Sequence, residues 1–199
     1  SPGAPADDFL LIVADGMGGA PAGDVASQIA AATLRDAFPQ LPESDLAQAL
    51  KSAYRKANDA IYSASQDNPG NVGMGTTLTT ALLHGKYATI ANIGDSRAYL
   101  LRGSGITQIT QDHTVVADDV ASGKIDATQA QADPRRNQLT HALGTRQRLE
   151  TRLPNIFEVA LLPGDRLLLC SDGLYEVVDQ VDMQRLLGAQ EADAAAIAL

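Results

Sequence analysis

The stretch FLLIVADGMGGAPAGDVAS, Phe9–Ser27, decides how the rest of the chain is read. Its apolar residues from Phe9 to Ala14 run without interruption, long enough for a buried strand and too short for most helices. The run stops at Asp15. Gly16, Gly18 and Gly19 then break the regular backbone, and an alanine-rich segment of helical character begins beyond Pro21. A carboxylate at the mouth of a strand, beside glycines, is badly placed for packing. It is well placed to hold a hard cation, whose ligands are carboxylate and carbonyl oxygens.

The device recurs at two other points. Leu167–Ser171 leads into Asp172-Gly173, and Tyr87–Ile93 ends at Gly94-Asp95. Neighbouring strands lie about 4.8 Å apart, so carboxylates at strand ends can meet. There they repel, and each favours its protonated form unless a cation sits between them. A single Asp-Gly often does no more than cap a turn. Three at the ends of apolar strands favour a metal site and leave open whether it holds one ion or two.

The bulk numbers set the limits. A chain of 199 residues with 45% apolar content has room for one domain with a substantial core. The single cysteine, Cys170, excludes an internal disulfide framework, and its apolar neighbours mark it as a buried structural thiol. A formal charge of −9 argues against a nucleic-acid or anionic-membrane surface. No apolar run approaches the ~20 residues that span a bilayer. The opening SPGAPADD lacks the basic region of a signal peptide, so the expected location is cytoplasmic.

Along the chain, helices are expected over Gly23–Phe38 and from an N-cap at Ser44 through Ile61, the second with an i, i+3, i+4, i+7 apolar stripe. Gln66–Gly75 reads as a loop. Thr76–Leu83, Tyr87–Ile93, Arg97–Leu101 and Ile106–Thr110 then read as strands joined by turns so short that an antiparallel meander is expected. Asp112–Gln138 is a polar excursion with at most two short helices. Glu158–Leu162 and Arg166–Ser171, around Pro163-Gly164-Asp165, read as a last hairpin, followed by helices over Val181–Leu187 and Glu191–Leu199. This order predicts an α+β domain with two stacked antiparallel sheets and helices on their faces.

Blocks along the chain carry a family resemblance. DGMGG at Asp15–Gly19 with GDVAS at Gly23–Ser27, MGTTLTTALL at Met74–Leu83, IGDSRAYLLR at Ile93–Arg102, ITQDH at Ile109–His113, LTHALG at Leu139–Gly144 and LPGDRLLLCSDGLYEVV at Leu162–Val178 resemble, in order, the motifs of the metal-dependent Ser/Thr protein phosphatases of type 2C, in their bacterial form. The resemblance implies a four-layer α-β-β-α sandwich, with two Mg²⁺ or Mn²⁺ ions at one end and a flap over 112–138. It implies that Asp15 bridges both ions, that the Gly16 carbonyl binds one, and that Asp172 is a further ligand and catalytic residue with Asp15. It also implies that Asp95 joins Asp172 at a third, weaker site. The implied reaction is hydrolysis of phosphoserine and phosphothreonine in proteins by a water or hydroxide between the metals, with phosphorylated proteins, a Ser/Thr kinase and its targets as partners. The alternative is a phosphatase-like domain that has lost turnover and serves as a regulatory binding module.

The match departs from the family at several points. Nothing before Asp15 resembles the family's first strand with its phosphate-binding Arg and Asn-Glu-Asp block, and nothing after Asp172 resembles its last strand with Asp-Asn. Residues 1–199 are therefore expected to be one domain lacking both strands. Ala20 and Met17 stand where relatives carry His, and neither side chain can donate a proton. His141 stands where Arg is common and is read as a neutral, hydrogen-bonded residue. Asp112 and His113 are read as anchors of the flap's first turn, and Thr76 and Thr77 as the start of a packed strand.

Overall fold

A computed structural model of the chain describes residues 8–19, 21–41, 45–189 and 192–199. Strand β1, Phe9–Val13, is followed by the two-residue β2, Gly16–Met17, and by helix α1, Ala22–Ala37. Helix α2 spans Leu46–Asp67. Ser44, the expected N-cap of α2, lies outside the described residues, as does Ala20. Asp45 caps the helix, its carboxylate accepting from Gln48 N–H at 3.0 Å. Strands β3 (Gly75–Thr76), β4 (Leu78–His84), β5 (Tyr87–Ile93), β6 (Arg97–Arg102) and β7 (Gly105–Gln108) follow. Two short helices, α3 at Val115–Ala121 and α4 at Ala127–Ala132, occupy the polar excursion. The chain continues with β8 (Asn155–Ala160), β9 (Arg166–Cys170), and helices α5 (Asp172–Tyr175), α6 (Gln180–Ala189) and α7 (Ala192–Ala198).

The strands form two main antiparallel sheets, ordered β1-β4-β5-β8 and β7-β6-β9, with β2 and β3 as a small separate ladder. This corrects the meander. β4 and β5 are a hairpin, as are β6 and β7, but β5 and β6 belong to different sheets. Gly94-Asp95-Ser96 is the crossover between them. The last hairpin is also overturned, because β8 pairs with β5 and β9 with β6. The reason is the same in both places: a short connection with a Gly-Asp turn carries the chain from one sheet to the next as readily as it reverses it. Gly94 (φ +97°) and Gly164 (φ +91°) supply the left-handed backbone that each turn uses.

The layers stack helix on sheet on sheet on helix. Leu78, Ala91 and Ile93 turn one face of the first sheet toward Ala26, Ala30 and Leu34 of α1 and Leu50, Ala57 and Ile61 of α2. Ala81 and Ile90 pack against Ala98, Leu167 and Leu169 between the sheets. Tyr99, Cys170 and Leu101 meet Met183, Leu187 and Ala195 on the outer face of the second sheet. Each fully buried Leu or Ile contributes about 1.5–3 kcal/mol from removal of apolar surface. The helices are amphipathic because only one face touches a sheet. One expectation fails in part: the apolar run of β1 predicts a buried strand, but Phe9 is 62% exposed. Among the described residues β1 pairs only with β4, so it sits at a sheet edge and presents one half-covered face.

Candidate metal centre

Strand register gathers the three acidic strand ends at one end of the sandwich. Val13, the last residue of β1, pairs with Thr79, and Ile93, the last of β5, pairs with Leu78, so Asp15 and Asp95 leave the first sheet at the same edge. In the second sheet Arg97, the first residue of β6, pairs with Cys170, the last of β9. Asp95 before β6 and Asp172 after β9 are therefore neighbours too. The crossover of the chain between sheets is what brings Asp15, Asp95 and Asp172 to one rim.

The electrostatics follow from that placement. The side chains of Asp15 and Asp172 lie within hydrogen-bonding reach of each other. Burial, and then the charge of Asp172 and this hydrogen bond, raise the Asp15 carboxyl above the usual carboxylate range. Asp95, 8% exposed, is pushed up to about 6, chiefly by burial and next by the charge of Asp172; Asp112 and Asp15 add smaller effects and its own backbone hydrogen bond opposes them. Among the described residues no Lys, Arg or His forms an ion pair with any of the three. Carboxylates crowded without a counter-cation are a donor set suited to a divalent ion. Asp15 and Asp172 are the core of that set. The described residues do not close three His, Cys, Asp or Glu side chains into one ligand cluster, so Asp95 stands alongside the pair.

The backbone at Asp15 and Gly16 is held in place from two sides. A Cβ on Gly16 would collide with the Gly23 backbone, and one on Gly23 would lie 2.8 Å from Gly16, so the first turn of α1 rests directly on the Asp15-Gly16 segment. From the other side, the Asp15 N–H donates to Thr77 Oγ1 at 3.0 Å. The Asp15 carbonyl accepts from Thr77 N–H at 2.9 Å and Thr76 Oγ1 at 3.0 Å. Thr76 and Thr77 are buried, but they do not start a strand as expected: Thr76 ends β3 and Thr77 lies in the break before β4, and both hold the backbone of Asp15.

A second network braces Asp95 and Asp172. Tyr175, in the helix that starts at Asp172, donates its hydroxyl to the Asp95 carbonyl at 3.1 Å. The Arg97 guanidinium lies 3.5 Å from the centre of the Tyr175 ring and grips Asp112 with contacts at 2.6, 3.0 and 3.1 Å. His113 completes the anchor: its N–H donates to the Gly94 carbonyl at 3.0 Å, and its Nδ1 accepts from Gly94 N–H at 3.1 Å. The ring proton therefore sits on Nε2, which has no hydrogen-bond partner among the described residues and lies edge-on to His141, 5.3 Å between centroids. Burial, with the charges of His141 and Arg152, pushes His113 down to about 4. Asp112 and His113 anchor the start of the excursion, as read from the sequence. His141 is hydrogen-bonded, with Nδ1 3.0 Å from Thr140 Oγ1 and Nε2 2.9 Å from Arg152. Cys170 is buried and its thiol is pushed up to about 11, which removes it as a nucleophile at neutral pH.

Arg97, Thr77 and Tyr175 were missed as site residues by sequence reasoning. Arg97 and Tyr175 lie beside recognised motif residues, but nothing in their spacing signals a stacked pair. A cleft of about 870 Å³ runs beside this network, between α3 and α4 on one side and Arg97, Asp112 and Tyr175 on the other.

Comparison with known proteins agrees with this geometry. The family model described as protein phosphatase 2C matches residues 3–192. The serine/threonine phosphatase Stp of Listeria monocytogenes is 38% identical over 182 residues, covering 89% of this chain and 71% of that protein. PstP of Mycobacterium tuberculosis, named a serine/threonine protein phosphatase, is 41% identical over 187 residues, covering 94% of this chain and 36% of that longer protein. The Streptococcus agalactiae serine/threonine phosphatase superposes with a TM-score of 0.90 at 28% identity, covering 98% of this chain and 81% of that one. The PstP catalytic domain solved with two manganese ions does so with a TM-score of 0.82 at 38% identity, covering 96% and 81%. With the family model matched over residues 3–192 and a relative 38% identical across 89% of its length, the chain belongs to the protein phosphatase 2C family.

Proposed function

We propose that this chain hydrolyses phosphoserine and phosphothreonine esters in proteins, with Mg²⁺ or Mn²⁺ held by the carboxylates of Asp15 and Asp172 and the carbonyl of Gly16, and with Asp95 contributing to a weaker site. The observation that carries this is the meeting of Asp15 and Asp172 at the sandwich rim, with no cationic side chain among the described residues to balance them. Divalent ions held there would lower the pKa of bound water and offset the charge of the phosphoryl oxygens. The chain's own residues bind and orient. Thr76 and Thr77 fix the Asp15 backbone, Tyr175 and His113 fix the segment around Asp95, and the first turn of α1 fixes Gly16. The thiol of Cys170 is buried and offers no accessible nucleophile.

Residues 112–138 act as a flap beside this rim, anchored at Gly94 by His113 and tied to the other side of the cleft by Asn137, whose amide donates to Glu176 at 2.8 Å. The substrates are the phosphorylated products of a Ser/Thr kinase, met in the cytoplasm. No helix among the described residues is long and apolar enough to cross a membrane. The regulatory-module alternative has no support from the relatives, which carry phosphatase names.

The test is Mn²⁺-dependent release of phosphate from a phosphothreonine peptide and of p-nitrophenol from p-nitrophenyl phosphate. Asp15→Asn and Asp172→Asn should abolish both while the circular dichroism spectrum stays that of the parent. Activity retained in either variant would remove the assignment.

A further inference from the structure

Thr77 sits in the short break between β3 and β4, 3% exposed, where two ligand-bearing segments come together. On one side it clasps Asp15. The Thr77 N–H donates to the Asp15 carbonyl at 2.9 Å and its Oγ1 accepts from the Asp15 N–H at 3.0 Å. On the other side the same hydroxyl lies 2.7 Å from Ser96 Oγ, in the crossover that carries Asp95. The crossover also packs on the Thr77 side chain directly. A Cβ built on Gly94 would come within 2.6 Å of Thr77 Cγ2 and 2.7 Å of Thr77 Cβ, so Gly94 has no room to shift toward it. Ser96 is fixed in turn, its carbonyl accepting from Thr79 Oγ1 at 2.9 Å. Asp15 follows β1 in the first sheet and Asp95 lies in the crossover from β5 to the second sheet, and one buried side chain bonds the segments of both.

We infer that Thr77 is the positioning residue that sets Asp15 relative to Asp95, and through them the spacing of the metal ligands; this rests on the metal reading proposed above. Its hydroxyl oxygen has two lone pairs and one hydrogen. One lone pair takes the Asp15 N–H, and the remaining capacity makes the bond to Ser96. The hydrogen bonds of the clamp run through the oxygen, while the methyl group only packs against Gly94. Valine preserves the shape of threonine and removes that oxygen, leaving the half-buried Asp15 N–H without this acceptor. Serine preserves the oxygen and loses only the methyl.

The experiment measures Mn²⁺ binding to the metal-free protein by calorimetry, with p-nitrophenyl phosphate kinetics alongside. Thr77→Val should weaken Mn²⁺ binding about tenfold, equivalent to about 1.4 kcal/mol. It should raise the Mn²⁺ concentration for half-maximal rate by a similar factor, and leave KM for p-nitrophenyl phosphate at saturating Mn²⁺ unchanged. Thr77→Ser should stay within about threefold of the parent, since the retained hydroxyl keeps both hydrogen bonds of the clamp. A folded Thr77→Val protein with parental Mn²⁺ affinity overturns the inference, as does a Thr77→Ser protein as weak as Thr77→Val. Should Thr77→Val fail to fold, Ser96→Ala removes the far end of the bridge and leaves the Asp15 N–H bonded. Weaker Mn²⁺ binding in that variant supports the clamp, and parental affinity overturns it. A parent protein that binds no Mn²⁺ overturns the metal reading itself, which separates the two failures.

Discussion

Replacing Arg97 by Met should cost the metal-free protein about 3 kcal/mol of stability. The guanidinium makes three close contacts with Asp112, donates to Tyr99 Oη at 3.0 Å and lies over the Tyr175 ring. The Asp112 side chain is 13% exposed and that of Arg97 24%. Methionine fills much of the same volume and removes the charge. Asp112 is then left with Gln108 Nε2, at 3.0 Å, as its side-chain partner. Breaking a buried pair by removing one partner costs about 3–5 kcal/mol, and a desolvated cation–π contact contributes about 2. Solvent reaches part of the guanidinium, so screening brings the sum back to about 3 kcal/mol. That is a large share of the ~5–15 kcal/mol typical of a domain. The assay is urea denaturation in the presence of a chelator, so that metal binding does not mask the loss. For a chain of this size the midpoint of thermal unfolding should fall by about 6–12 °C. A double-mutant cycle with Asp112→Asn should return a coupling of about 2 kcal/mol. A coupling near zero, with Arg97→Met close to the parent, would show that the pair behaves as a screened surface contact and would refute the reasoning.

Tyr54→Phe should destabilise the fold by about 1–3 kcal/mol in the same denaturation assay, because the fully buried hydroxyl bonds the Ala91 and Leu78 carbonyls at 2.8 and 3.2 Å, bracing two neighbouring strands. Gly94→Ala should be far more costly than Gly164→Ala, although both glycines have positive φ: the added methyl meets Thr77 at the first and open space at the second. Equal unfolding midpoints for the two alanine variants would contradict the packing described at the crossover. His113 gives a pH signature. Its folded pKa of about 4 lies below the unfolded value near 6.5, so the unfolded chain binds the extra proton first, and stability is lost as pH falls from about 6.5 toward 4. His141, Arg152, Asp118 and Asp112 are the groups that act on it. His113→Gln should flatten the stability profile in that window by about 3 kcal/mol relative to the parent. Parallel profiles for the two proteins would mean that His113 is solvated or already charged in the native state.

What the sequence disclosed was the set of strand ends. Apolar runs stopping at Asp15, Asp95 and Asp172 are local patterns, and a carboxylate beside a glycine at a strand mouth reads the same in isolation as in the fold. The helical stripe of α2 and the polar excursion were legible for the same reason, since both are set by periodicity and composition over short windows. What was not legible was which strands share a sheet. Gly94-Asp95-Ser96 and His84-Gly85-Lys86 look alike as turns, yet the second closes a hairpin and the first changes sheets. The difference lies in long-range pairing, β5 with β8 and β6 with β9, which leaves no mark on the turn itself. The misreading still left Asp95 at a strand end, because a crossover and a hairpin both end a strand there. Thr77 and Tyr175 escaped for a related reason. Their importance comes from partners 62 and 80 residues away, and a threonine or tyrosine beside a strand is ordinary composition.

The most direct test of the central claim is anomalous diffraction at the manganese edge from crystals soaked in Mn²⁺. Density within about 2.0–2.3 Å of carboxylate oxygens of both Asp15 and Asp172 is the predicted result, by analogy with hard-cation oxygen distances. Manganese bound only elsewhere, with Asp15 and Asp172 still facing each other, would contradict it.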